Sequence, residues 1–109
     1  MTKQPCGYIL ASGAYGTLYI GVTSDIIARL HQHRTGATGG FTARHGVIRL
    51  VRFEMFEDMI SAIAREKQLK RWHRDWKINL IEGDNPRWSD LAPALGLEPI
   101  VQRLSRDGP

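Results

Sequence analysis

Five side chains stand at spacings that can build one polar site. Tyr8 and Tyr19 lie eleven residues apart, Arg29 follows ten residues later, His33 four after that, and Glu66 stands well downstream. Phenol and imidazole groups can pass protons, a guanidinium can hold an anion, and a carboxylate can hold a cation. Each also has an ordinary reading. Tyr8 and Tyr19 can be a cross-strand aromatic pair, and Arg29 can pair with Asp25 one turn away on a solvated helix face. Glu66 can form an ion pair with Arg65, Lys67 or Lys70.

The elements that must position these groups follow from the pattern. Gly7 to Ala11 and Thr17 to Val22 are β-rich runs joined by Ser12 to Gly16, a connection of hairpin length with two glycines. In the second run Tyr19 shares its face with Gly21, which leaves room beside the ring for a close approach. Thr23 or Ser24 can cap a helix from about Asp25 to Thr35, ended by Gly36. Its apolar stripe is Ile26, Ile27 and Leu30, while Asp25, Arg29 and His33 recur every fourth residue on an adjacent face.

Thr35 to Gly46 is a loop rich in glycine and hydroxyls, with Arg44 and His45 near its end. It serves equally as a substrate-contacting loop or as a plain connector. Val47 to Phe56 is a strand with apolar residues in both alternating sets, Val51, Phe53 and Met55 on one and Ile48, Leu50 and Phe56 on the other. Both faces of the sheet are therefore covered by helices over part of its width. From Glu57 the apolar repeat of Met59, Ile63 and Leu69 defines a helix to about Arg71, with Glu66 on or beside its buried stripe. A carboxylate there is costly unless paired or bound to a cation. Trp72, Trp76 and Leu80 continue the repeat to Gly83, read as a C-cap. The run from Glu57 to Glu82 is about 26 residues, long for one helix, so a break near Trp72 or His73 is expected. Between Arg65 and Lys77 six basic residues outnumber two acidic ones and interleave with two tryptophans. That run is either a solvated face over core tryptophans or a phosphate-tracking surface.

The chain has 109 residues, enough for one core, and no second domain or repeat is visible. We read 1–91 as the domain and 92–109, with its scattered prolines, as a loosely packed tail. Fifteen Lys and Arg against eleven Asp and Glu give a net charge of +4, which favours a polyanionic partner. Cys6 is the single cysteine and reads as a small apolar strand residue. No run approaches a membrane span and no leader is evident, so a soluble, cytoplasmic protein is expected. A structural zinc site built from Cys6 and the histidines lacks a paired-ligand layout.

Taken together, the motifs resemble the GIY-YIG nuclease superfamily, over about Cys6 to Leu91. Gly7 Tyr8 Ile9 stands at the first motif and Tyr19 Ile20 Gly21 at the second, with Arg29, His33 and Glu66 following in order. The first motif departs from the family's pattern, reading Cys6 Gly7 Tyr8, but the tyrosine is kept. The family's late asparagine corresponds to Asn85 or Asn79, with Asn85 favoured.

The resemblance implies an α+β fold: a three-stranded antiparallel sheet of order 2-1-3 flanked by helices, in chain order β-β-α-β-α-α. It implies a metal-dependent DNA endonuclease, of the kind that serves repair or recombination. Mg²⁺, with Mn²⁺ as a substitute, would be held by Glu66. Arg29 would stabilise the phosphate and Tyr19 would support Tyr8. Either Tyr8 or His33 would be the general base, with Tyr8 preferred. Thr23, Arg44, His45, Lys67, Lys70, Arg71, Arg74 and Asn85 are the candidates for nucleic-acid contact. A domain this small has little surface for long sequence readout, so structured, damaged or single-stranded DNA, or a protein partner supplying the target, is expected. The alternative is a nucleic-acid-binding module with this fold and no turnover.

Overall fold

The computed structural model describes residues 4–36 and 45–97. Its sheet has three antiparallel strands, β1 (Cys6–Ala11), β2 (Leu18–Thr23) and β3 (Arg49–Met55), in the order β2-β1-β3. This is the expected order. All six residues of β1 are buried, because it is the middle strand and both its faces are covered. The helices are α1 (Ile26–Thr35), α2 (Met59–Arg71) and α3 (Arg74–Asp84), followed by a 3-10 turn at Ala92–Leu95.

The alternation of β1 divides the core in two. Cys6, Tyr8 and Leu10 face one side and pack with Ile26 and Leu30 of α1, Leu50 and Ala92. Ile9 and Ala11 face the other and pack with Ile20, Val51, Leu69 of α2, Ile81 of α3 and Trp88. Strict alternation would put Val51 beside Phe53, yet the two lie in different clusters. The cause is an irregularity in the β1/β3 ladder: Ile9 is opposite Arg52 while Leu10 is opposite Leu50, leaving Val51 as an extra residue that reverses the facing.

Helix ends follow local chemistry, with two differences from expectation. Asp25, not Thr23 or Ser24, is the N-cap of α1, its carboxylate accepting from the Ala28 N–H at 3.1 Å. Gly36 closes α1 with φ 79°, a left-handed conformation that glycine adopts without strain. α3 runs one residue past Gly83 and is closed by Asn85. The expected break falls at Trp72 and His73, both extended, with ψ of 150° and 153°. A straight helix of that length would run about 39 Å at 1.5 Å per residue. Six-residue strands span only about 20 Å, so two shorter helices cover the sheet where one would overrun it.

The chain past Leu91 is more ordered than a loose tail as far as Leu97. Ala92 is fully buried and Leu95 and Leu97 pack on the α1 side of the core. Residues 98–109 lie outside the described residues.

An ionic clamp ties β3 to both helices on the other side. Glu54 accepts from Arg65 Nε of α2 at 2.8 Å and from Arg52 Nε at 2.7 Å, and Arg52 Nη1 reaches Asp84 of α3 at 2.7 Å. Burial alone would push the Glu54 carboxyl up, but the hydrogen bonds from Arg65 and Arg52 outweigh it and hold it below its ordinary 4.5. A carboxylate depressed in the fold contributes stability above the unfolded value and loses it as pH falls through the folded one. Thermal unfolding is therefore expected to show a steeper acid-side loss of Tm below about pH 4.5 in the wild type than in Glu54→Gln, and equal slopes would refute the clamp's contribution.

Candidate active site

Tyr8 is the centre of the site. It stands on β1, opposite Gly21 of β2 and Phe53 of β3. A Cβ built on Gly21 would lie 2.4 Å from the Tyr8 hydroxyl, so the phenol lies directly over a backbone that has no side chain. The room left by Gly21 is filled by Tyr8. The sequence pattern pairs Gly21 with Tyr19 of its own strand, whereas the close contact is made across strands by Tyr8.

The Tyr8 hydroxyl is 3.0 Å from His33 Nε2. Arg29 Nη1 lies 3.5 Å from the same oxygen, at the outer limit of a hydrogen bond. Tyr19 is diagonal to Tyr8, with ring centroids 6.4 Å apart, and the His33 ring crosses edge-on to both, at 5.8 Å from Tyr8 and 5.4 Å from Tyr19. Four of the five expected groups therefore converge. No ion pair joins Arg29 to Asp25 among the described residues: Asp25 is engaged as the cap, and Arg29 turns towards Tyr8.

The electrostatics favour uncharged partners. Burial pushes the Tyr8 phenol up to about 12, although Arg29 opposes that shift. His33 is held below its ordinary 6.5, by burial first and then by the Arg29 charge. At neutral pH a protonated tyrosine thus faces a neutral imidazole, and it is in the Nδ1–H tautomer that the phenol donates and Nε2 accepts.

Glu66 stands apart from this cluster in its contacts. It lies on α2 between Ala62 and Leu69, the two buried residues of that helix, and its side chain is only 14% exposed. Its carboxylate pairs with Lys70 Nζ at 2.6 Å. No hydrogen bond joins it to Tyr8, Tyr19, Arg29 or His33 among the described residues. Nor do the described residues contain a cluster of three His, Cys, Asp or Glu able to hold a metal.

The expected nucleic-acid contacts divide. Lys67 and Arg71 are exposed on α2, and His45 is exposed ahead of β3. Lys70 is exposed but paired to Glu66, and Arg74 Nη2 donates to the Tyr15 and Gly16 carbonyls at 2.7 and 2.8 Å, pinning the hairpin tip. Thr23 is buried and its hydroxyl accepts from the Asp25 N–H at 3.0 Å. Asn85 is also buried: Nδ2 donates to the Val51 and Ser89 carbonyls and Oδ1 accepts from the Ser89 N–H. Both serve the fold, because their polar atoms are directed at backbone and not at solvent. Asn79, the other choice for the family asparagine, is exposed. Arg44 lies outside the described residues. Cys6 is buried, and burial lifts its thiol to about 11, which leaves it unreactive.

This fold and this cluster define a GIY-YIG domain. The chain matches the GIY-YIG catalytic domain over residues 4–79 and belongs to that family, a nuclease and hydrolase superfamily whose substrates are nucleic acids. Among curated proteins it is similar to a UPF0213 protein of Haloquadratum walsbyi, 33% identical over 61% of this chain and 74% of that one. It is also similar to a UPF0213 protein of Staphylococcus aureus, 34% identical over 62% of this chain and 82% of that one. The solution structure of a UPF0213 protein from Bacillus halodurans superposes with a TM-score of 0.51 at 26% identity, covering 80% of this chain and 92% of that one. The match ends at Asn79, before Asn85. No helix among the described residues is long and apolar enough to cross a membrane.

Proposed function

We propose that the chain is a Mg²⁺-dependent endonuclease that hydrolyses DNA phosphodiesters, with Tyr8 as general base. The observation that supports this most is the Tyr8 hydroxyl held between His33 Nε2 and Arg29. A tyrosine raised to about 12 is a poor base if it must first ionise in solution. With His33 as acceptor it need not ionise. As water attacks phosphorus, its proton passes to Tyr8 Oη while the phenol's own proton passes to His33 Nε2. The P–O3′ bond breaks, the 3′ oxygen takes a proton from solvent, and the products carry a 5′-phosphate and a 3′-hydroxyl. Arg29, whose guanidinium already reaches the Tyr8 oxygen, is placed to neutralise charge growing on the non-bridging oxygens. Tyr19 borders the His33 ring and helps to hold it.

A magnesium ion fits Glu66 better than zinc would. One carboxylate with no His or Cys cluster suits a hard ion that keeps most of its waters. When bound, such an ion supplies polarisation of the phosphate and stabilisation of the leaving oxygen. Lys70 is the group it must displace from Glu66. That ion pair is also what favours the alternative, a binding module with the same fold in which the carboxylate stays occupied by lysine.

A plasmid-nicking assay that includes branched and single-stranded substrates separates the two. The nuclease reading expects nicking with Mg²⁺ or Mn²⁺, none in excess chelator, and a rate loss on the order of 10²-fold in Arg29→Ala, as for removal of one transition-state donor. Binding without nicking on any substrate supports the module instead.

A further inference from the structure

The corner between α2 and α3 presents an aromatic surface that the proposed chemistry does not use. Trp76 is 54% exposed, an unusual cost for an indole in a small domain. Trp72 and His73 both meet it edge-on, at 5.9 Å and 82° and at 5.3 Å and 81°. Neither neighbour therefore lies parallel to the Trp76 ring. Arg65 sits 5.2 Å from the Trp72 centroid and, through its hydrogen bonds to Glu54, ties this corner to the sheet. The group is held in place from below yet open at Trp76.

The two helices that meet there carry more cations than anions, with Asp75 in the first turn of α3 as the acidic neighbour of Trp76. Lys67, Arg71 and Lys77 lie along the two helices on either side of the corner, and none has a carboxylate partner among the described residues. The N-terminus of α3 opens at the same place, and its cap residue His73 supplies no side-chain hydrogen bond. Positive charge around an exposed indole complements a polyanion that also offers a flat ring. Paired bases in a duplex keep their faces stacked inside, whereas an unpaired base has a free face, and base stacking on aromatic side chains is sequence-tolerant.

Building on the nuclease reading, we propose that this corner binds an unpaired nucleotide of the substrate, its base on Trp76 and its phosphates against Lys67, Arg71 and Lys77. The preferred substrate would then carry a single-stranded segment next to the duplex that is cut.

The test is a titration of the whole protein in EDTA with a thymidine oligomer and with a blunt duplex of equal length, read by tryptophan emission and by anisotropy of labelled DNA. The expected result is quenching by the oligomer, with its affinity reduced about tenfold in Trp76→Ala and largely restored in Trp76→Phe, and a smaller loss for the duplex. Lys77→Glu should weaken both ligands and steepen neither ring-specific effect. An oligomer that leaves tryptophan emission unchanged, or equal losses for oligomer and duplex in Trp76→Ala, overturns the proposal; the first outcome would leave the corner as a face for a protein. Because binding is read without metal, it is independent of cleavage: quenching by the oligomer in a protein that never cuts would sink the nuclease reading and leave the unpaired-nucleotide site at Trp76 standing without its cleaved duplex.

Discussion

Glu66→Ala is expected to abolish Mg²⁺-dependent cleavage while DNA binding persists. Glu66 is placed where a carboxylate has little reason to be unless it has a charge to meet: on the stripe between Ala62 and Leu69, with 14% of its side chain exposed. In the free protein Lys70 meets that charge from a largely exposed position, 54% accessible, so the pair is easily opened. A salt bridge so exposed at one end contributes little to stability. Replacing Glu66 should therefore leave the fold's Tm nearly unchanged, and a loss of activity would not be a loss of structure. Glu66→Gln keeps the shape and removes the charge, so it should fail as fully as alanine. Both are checked by single-turnover cleavage with Mg²⁺ and Mn²⁺ beside anisotropy with labelled DNA. Cleavage at the wild-type rate by either variant, or by the wild type in excess chelator, would overturn the assignment of the cation to Glu66.

The fold was largely readable because its main signals are local. Two β-rich runs joined by a glycine-bearing turn, a left-handed glycine after Thr35, and a helical pattern too long for the sheet are all set by near neighbours. The features that escaped depend on contacts far apart in sequence. Val51 reads as a partner of Phe53 until the ladder with β1 inserts an extra residue. Asn85 looks like a surface polar residue until Val51, thirty-four positions away, takes its amide proton. Gly21 reads as an open space in the sequence, but the occupant of that space is fixed only by the register that sets Tyr8 across from it. The same holds for the site. Tyr8, Tyr19, Arg29 and His33 sit on consecutive elements, so their convergence follows from one hairpin and one helix, whereas the position of Glu66 depends on how α2 crosses the sheet. The spacing of Trp76 continues the apolar repeat and fits a core residue as well as one on a phosphate-tracking surface. The break at Trp72 and His73 rotates that repeat and leaves the indole in solvent.

Tyr8→Phe is expected to lower the cleavage rate by about 10²- to 10⁴-fold, the range for loss of a general base. Phenylalanine keeps the ring above Gly21 and removes only the hydroxyl, so the packing of the hairpin is preserved and circular dichroism should be unchanged. The pH profile then distinguishes the two ways in which Tyr8 can act. If Tyr8 hands its proton to His33, the rate depends on neutral imidazole. It should rise from the acid side and level off below 6.5, since burial and Arg29 both hold His33 under that value. If Tyr8 acts as a preformed phenolate, the rate should instead keep climbing with pH towards the phenol's own value of about 12. His33→Ala should convert the first profile into the second and cost nearly as much as Tyr8→Phe. The double variant should then be little worse than either single one, because groups that act as one unit lose their effect together. Independent, additive losses would instead mean that His33 serves the phosphate directly and that its contact with Tyr8 only positions the ring.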